Sequence, residues 1–299
     1  RIESGHWGNP LNENQEDWSY NYDGREGRPM HFEFHSFIIF ILYSFLSIFS
    51  SISILKTSFY LPVILIGISI IPAFFIGKRI SGNVGGFFAS MIVAINSALL
   101  SRTPAGFSDT DSYQIFFPLF IVWLIFEAFE VEKIQNKILL PSLSGLMMGI
   151  YLLAWQGGTF ILNIILAGIF IASLIKLIHT KIKTKKLNFL VIKNELIIGG
   201  SFFIVSAISL YLFNKKNIFQ SIWEVITATK LKEVAVAKIW PNVLTTVAEF
   251  NTVPLKEIIN QMGGNLFFLI AIIGIIILFI KKKGNIKSSN DPLLWILIV

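Results

Sequence analysis

The chain contains no cysteine, so neither a disulfide framework nor a thiolate metal site can be built from it, and its redox compartment leaves no mark. Charge is scarce too: 14% of its 299 residues are Asp, Glu, Lys or Arg, against about a quarter in an ordinary soluble domain. The compact signatures of zinc peptidases, serine hydrolases and P-loop enzymes are missing, since there is no H-E-x-x-H, no G-x-S-x-G and no Walker loop. No short sequence repeat is evident either.

Apolar residues fill the space that charge leaves. They make up 54% of the chain, the mean hydropathy is +0.68, and they lie in long runs. Runs of roughly 17–25 apolar residues read as transmembrane helices. The sequence therefore predicts an all-α polytopic membrane protein, a multi-span helix bundle with long external loops. Apolar segments fall at 34–55, 58–77, 84–100, 113–130, 138–155, 159–178, 195–213, 265–280 and from 292 onward. Both ends look cut: the chain opens on Arg1 without a first apolar helix and stops at Val299 inside an apolar run.

The net charge of +7 reads as membrane topology and not as a nucleic-acid-binding surface. Lysine and arginine gather in cytoplasmic loops, and that bias sets orientation. Lys78-Arg79, Lys133 with Lys137, the group Lys181, Lys183, Lys185 and Lys186, and Lys281–Lys283 all fall on one side if successive segments cross the bilayer. Residues 101–112, the turn 156–158 and the long loop 214–264 then lie outside. Segment 58–77 must run inward. With residues 1–31 also outside, segment 34–55 starts and ends on one face, so it is expected to be interfacial or re-entrant. The resulting division is 1–57 external, 58–100 two spans, 101–112 an external acidic loop, 113–213 four spans, 214–264 external, and 265–299 two spans with the last one truncated. Residues 1–31, rich in Gly, Pro and Asn, read as ordered loop. Residues 220–239 suit an amphipathic surface helix.

The residues that could carry chemistry cluster outside the spans. Asp109 and Asp111 flank one threonine in the stretch from Ser101 to Asp111. Outside helical geometry, two such carboxylates can converge on a hard cation, and Mg²⁺ and Mn²⁺ prefer oxygen ligands. A plainer reading makes Ser108 or Asp109 the N-cap of the helix near Tyr113. The two roles are compatible. Arg102 can pair with an aspartate or fork a phosphate, or simply anchor a helix at the interface. Glu249, after Thr246-Val247-Ala248, is by itself an ordinary solvated loop residue. Trp155-Gln156-Gly157-Gly158 reads as a tight turn with an interfacial indole. His31 and His35 could touch phosphate or metal, or be packed and hydrated.

Together these residues resemble the catalytic subunit of oligosaccharyltransferase, in its archaeal AglB form, related to bacterial PglB. Arg102-Thr103-Pro104-Ala105-Gly106-Phe107-Ser108-Asp109-Thr110-Asp111 is similar to the family's second acidic motif, R-T-x-x-G-F/Y-x-D-T-D. Thr246-Val247-Ala248-Glu249 resembles its T-I-x-E motif, with Val in place of Ile. Trp155–Gly158 resembles the W-x-G-G turn, and Gly24–His31 the first external loop. The resemblance covers essentially the whole chain. It departs from the family at the first acidic motif and at the carboxyl-terminal soluble domain with its W-W-D motif, which lie outside these residues, so the fragment as given is expected to be inactive.

The resemblance implies a glycosyltransferase of the GT-C type. Such an enzyme moves an oligosaccharide in one piece from a dolichyl phosphate or pyrophosphate to asparagine in N-x-S/T. It further implies a single-subunit integral membrane enzyme acting on the extracytoplasmic face with a Mn²⁺ or Mg²⁺ cofactor. Asp109, Asp111 and Glu249 are the implied metal ligands. Asp109, Asp111, Glu249 and Arg102 are the implied catalytic set, and His31 is placed at the lipid phosphate. Two other readings compete. One is another polyprenol-phosphate-sugar transferase, such as a protein O-mannosyltransferase, which gives no reason for the Thr246–Glu249 pattern. The other is a transporter, which would put ionisable groups near helix midpoints.

Overall fold

The computed structural model describes residues 18–19, 28–29, 33–186, 188–227 and 254–282. Two short strands, β1 (Trp18–Ser19) and β2 (Arg28–Pro29), pair antiparallel with Trp18 opposite Pro29. Ten α-helices follow among the described residues: α1 (Phe34–Leu46), α2 (Ile54–Ile95), α3 (Ser97–Arg102), α4 (Tyr113–Glu130), α5 (Ile134–Ala154), α6 (Thr159–Thr184), α7 (Lys193–Asn214), α8 (Ile218–Thr227), α9 (Leu255–Gln261) and α10 (Asn265–Lys282). Among the described residues, five helical stretches are long and apolar enough to cross a membrane: 54–102, 110–130, 134–154, 159–184 and 189–214.

The first of these stretches is a hairpin. Its 42-residue helix would be roughly 63 Å long if straight, twice a bilayer core. It is broken at Ser81 and at Gly82, whose φ of 70° suits glycine. Beyond the break the chain folds back on itself. A Cβ on Gly86 would meet the Phe74 carbonyl oxygen at 2.8 Å, and one on Gly85 would meet the Ser81 Cβ at 2.7 Å. Gly106 N–H then donates to Phe59 O at 3.2 Å, so the returning limb ends beside the start of the outgoing one. The segments expected at 58–77 and 84–100 are therefore two arms joined by a tight glycine turn.

α1 stops at Leu46, well before the residue 55 expected from hydrophobicity, because Ser47, Ser50, Ser51 and Ser53 interrupt the run. Ser53 then caps α2, its side chain accepting from Lys56 N–H at 3.3 Å. With 13 residues, α1 is roughly 20 Å long, short of a bilayer crossing.

α4, α5 and α7 form the centre. Ile121, Ile125, Phe126, Met148, Ile198 and Phe202 are wholly buried there, and Leu162 and Ile165 of α6 join the same core. Lipid tails are as apolar as these side chains, so helix contact in a bilayer depends on close backbone approach and interhelical hydrogen bonds. Both are present. A Cβ on Gly145 would sit 2.8 Å from Phe202 O, and α7 closes tightly on Gly149 through Ser209. Ser144 Oγ donates to Ile121 O at 3.0 Å, Ser209 Oγ to Gly145 O at 2.9 Å, and Asn214 Nδ2 to Gly149 O at 3.0 Å. Leu, Ile and Phe side chains point outward along α2, α6, α7 and α10, as a lipid-facing surface requires.

Candidate active site at the acidic loop

One end of the bundle is assembled from pieces far apart in sequence. α3 ends at Arg102, an extended loop follows, and a 3₁₀ turn over Thr110–Ser112 leads into α4. Gly106 takes a φ of 102°, open to glycine and strained for other residues. Asp109 is the N-cap of the turn, with its Oδ1 accepting from Thr110 N–H at 2.6 Å. Asp109 thus caps the 3₁₀ turn and not α4 itself, whose N-cap is Ser112 with no side-chain cap bond, and the Asp109 side chain remains exposed. Asp111 is fixed from two directions. Arg102 Nη1 approaches Oδ2 at 3.4 Å, and Gln114 Nε2 donates to Oδ1 at 3.0 Å. The Arg102 side chain is 69% exposed, so this is a loose pair that leaves donors available.

α1 closes the other side of the loop. His35 Nε2 lies 3.0 Å from Ser108 Oγ, and Nδ1 lies 3.1 Å from the Tyr113 hydroxyl. The imidazole therefore brackets Asp109, tying the residue before it and the helix after it to α1. Burial lowers the His35 pKa, opposed by the nearby negative charges of Asp109 and Glu33.

An aromatic chain extends from there to the glycine turn. Phe34 meets Tyr113 at 5.6 Å between centroids, Tyr113 meets Phe117 at 5.9 Å, Phe117 stacks on Tyr151 at 5.4 Å, and Tyr151 meets Trp155 at 6.0 Å. The turn itself cannot carry side chains. A Cβ on Gly157 would enter the Trp155 indole, and one on Gly158 would lie 2.7 Å from the Tyr151 ring. The two glycines let the indole fold over the backbone between α5 and α6.

The structure therefore brings together Arg102, Asp109, Asp111 and His35, and the aromatic chain links this cluster to the Trp155–Gly158 turn. Glu249 and His31 lie outside the described residues. Sequence reading missed Tyr113 and Gln114 as members of this cluster. The only signal for them is their place in the first turn of α4, one and two helical positions beyond the acidic motif's capping segment.

The donor set suits a hard cation, because it is made of carboxylate and hydroxyl oxygens with no sulfur. Among the described residues, no group of three His, Asp or Glu side chains converges. Asp109 and Asp111 alone match what Mg²⁺ takes from a protein, which is one or two carboxylates with the remaining positions filled by water or substrate.

Comparisons with known proteins agree with this arrangement. The family model described as oligosaccharyl transferase STT3, N-terminal, matches residues 4–299. The dolichyl-phosphooligosaccharide-protein glycotransferase of Methanococcus voltae is 31% identical across 98% of this chain and 34% of its own length. The undecaprenyl-diphosphooligosaccharide–protein glycotransferase of Campylobacter jejuni is 25% identical across 77% of this chain and 36% of its own length. The chain thus spans about a third of the curated relatives it matches. In fold it resembles the archaeal oligosaccharyltransferase AglB of Archaeoglobus fulgidus, solved with an inhibitory peptide and a dolichol-phosphate. That match has a TM-score of 0.54 and 18% identity, and it covers 91% of this chain and 39% of that one. It supports the arrangement of the helices. With a family model running through both the acidic loop and the glycine turn, this chain belongs to the oligosaccharyl transferase STT3 family, as part of its N-terminal membrane region.

Proposed function

We propose that this chain is the membrane-embedded catalytic part of an enzyme that transfers an oligosaccharide from a dolichyl phosphate or pyrophosphate to asparagine in N-x-S/T sites, on the extracytoplasmic face. The observation that carries this reading is the acidic loop, with Asp109 exposed at its tip and Asp111 held between Arg102 and Gln114 at the end of the membrane helices. A lipid carrier keeps its chain in the bilayer and presents its phosphate at the surface. A site for that phosphate therefore belongs where helices end.

The chemical difficulty lies in the acceptor. The amide nitrogen's lone pair is delocalised, which is why rotation about an amide C–N bond costs about 18–20 kcal/mol. A carboxylate accepting the amide N–H groups weakens that delocalisation and aims the nitrogen at the sugar carbon. Glu249 takes this role in our reading. Asp109 and Asp111, with Glu249, would hold the divalent cation. When bound, such an ion supplies Lewis-acid stabilisation of the departing phosphate. Arg102 fixes Asp111 and offers its exposed N–H groups to phosphate oxygens. His35 holds the loop in register through Ser108 and Tyr113. His31 is placed at the lipid phosphate.

The test uses the full-length protein in membranes, a lipid-linked oligosaccharide and an N-x-T peptide. Transfer should stop with chelator, return with Mn²⁺ or Mg²⁺, and be lost in both Asp109→Ala and Glu249→Ala. Transfer that survives both substitutions would remove the acidic loop from the reaction.

A further inference from the structure

The hydroxyl of Ser108 stands at the exposed end of a hydrogen-bonded chain whose direction is fixed at its buried end. Tyr113 is 1% exposed, and its hydroxyl lies 3.1 Å from His35 Nδ1, its one hydrogen-bond partner among the described residues. A proton on Nδ1 would make that hydroxyl the acceptor and leave its own buried hydrogen without one. Such orphaned polar groups are rare in native proteins. The phenol therefore donates to Nδ1, and the imidazole carries its proton on Nε2. A doubly protonated ring would orphan the same hydrogen, and burial favours the neutral form. Nε2–H in turn donates to Ser108 Oγ at 3.0 Å.

The chain ends on a hydrogen that faces outward. Ser108 Oγ receives from His35, and no acceptor for its own O–H is found among the described residues. Neighbouring Asp109 takes its hydrogen bonds from Thr110, through N–H at 2.6 Å and Oγ1 at 3.4 Å, and none from Ser108. Ser108 is exposed, so a ligand can reach this hydrogen directly. A hydroxyl that accepts one hydrogen bond is polarised into a better donor for the next. Ser108 and Asp109 are consecutive, with Cα atoms about 3.8 Å apart, which puts this donor beside the carboxylate that would hold the cation. What the hydrogen lacks is an acceptor, and a phosphate offers nothing else. An acceptor asparagine, addressed through its amide N–H groups, makes the opposite demand.

We propose that Ser108 donates this hydrogen to an oxygen of the lipid carrier's phosphate, with His35 and Tyr113 as the positioning residues that aim it. The inference rests on the function proposed above and adds to it a neutral phosphate contact beside Arg102. It also gives α1 a task in substrate binding, since this short helix supplies the imidazole that turns the serine. Ser108 occupies a position that the acidic motif R-T-x-x-G-F/Y-x-D-T-D leaves open, so the contact is a feature of this chain and not of the motif.

The test measures binding of dolichyl monophosphate to the full-length protein with Mn²⁺ present, beside dolichol, which has the same chain and no phosphate. Ser108→Ala should weaken dolichyl monophosphate about tenfold, the size of one hydrogen bond to a charged group, and leave dolichol unchanged. In a His35→Phe background the same substitution should matter less than about twofold, because the serine is no longer aimed. In transfer assays Ser108→Ala should raise KM for the lipid-linked oligosaccharide and leave KM for the N-x-T peptide in place. Unchanged dolichyl monophosphate binding in Ser108→Ala would overturn the proposal, as would a rise in the peptide KM instead. A tenfold loss of Mn²⁺ affinity in lipid-free Ser108→Ala would also overturn it, by showing that the serine only holds the loop. Asp109→Ala separates the two levels. If it loses dolichyl monophosphate while Ser108→Ala keeps it, this inference alone fails; if both bind as the wild type does, the proposed function fails with it.

Discussion

The two ends of this bundle use the same residue types in opposite ways. At the end away from the acidic loop, charges are matched and packed. Arg79 pairs with Glu127 and lies 3.8 Å from Glu130, Trp123 Nε1 donates to Glu127 at 3.0 Å, and Lys176 closes on buried Glu195. At the acidic end, Asp109 is exposed, and Asp111 is held by a hydrogen bond from Gln114 while its contact to the exposed cation Arg102 is long. A charge kept for structure is satisfied by its neighbours. A charge kept for substrate is held in place and left partly unsatisfied. Underpaired charges at a helix-end loop are what a site for an ionic ligand requires.

The largest effect on stability should come from breaking the most buried pair. Lys176→Met leaves Glu195 uncompensated inside the bundle and should destabilise by about 3–5 kcal/mol. The double variant Lys176→Met/Glu195→Leu should recover most of that loss. Thermal unfolding of both proteins in detergent measures the difference. A single variant as stable as the wild type would mean that the pair is hydrated and the two ends are less distinct than described here.

A smaller effect is expected where helices meet through glycine. Gly149→Val forces a branched side chain against Ser209 and should cost about 1–3 kcal/mol, read by the same unfolding experiment. The lesion lies in the helix contact that supports both ends, so transfer per folded molecule should change little.

The smallest effect concerns His35. Burial holds its folded-state pKa below the ordinary 6.5, so the unfolded chain binds the proton more readily. Stability should therefore fall as pH drops below about 6.5 and level off once pH passes below the folded-state pKa. It should not vary through this group at higher pH. His35→Gln should flatten that slope, and denaturant unfolding between pH 5 and pH 8 measures it. An unchanged slope would show that the imidazole is solvated and not tied to Ser108 and Tyr113.

Much of the fold was legible because a bilayer makes the hydrophobic pattern almost literal. The runs at 113–130 and 159–178 match α4 and most of α6. The gap between the runs at 58–77 and 84–100, with Lys78-Arg79 in it, is the α2 hairpin, although the sequence alone predicts a loop and not a tight reversal. The end of α1 was misjudged because Ile48, Phe49, Ile52 and Ile54 keep the average hydrophobicity high. The serines between them break the helix through local hydrogen bonding, which a hydropathy average does not register. The acidic loop was legible as a motif. Its supporting contacts were not, since the bonds from His35 to Ser108 and Tyr113 depend on how α1 docks on α4. The apolar runs looked almost free of charge. Lys176 and Glu195 lie near run ends, and only the antiparallel register of α6 and α7 shows that they meet and are buried.

The contrast between the two ends is tested most directly by comparing two single-carboxylate neutralisations for transfer rate per folded full-length molecule. Asp109→Asn should lower transfer by about 100-fold or more with little change in thermal stability. Glu127→Gln, at the opposite end, should leave transfer within about twofold and produce any loss in stability instead. Comparable transfer rates in the two variants would contradict the assignment of chemistry to the acidic loop.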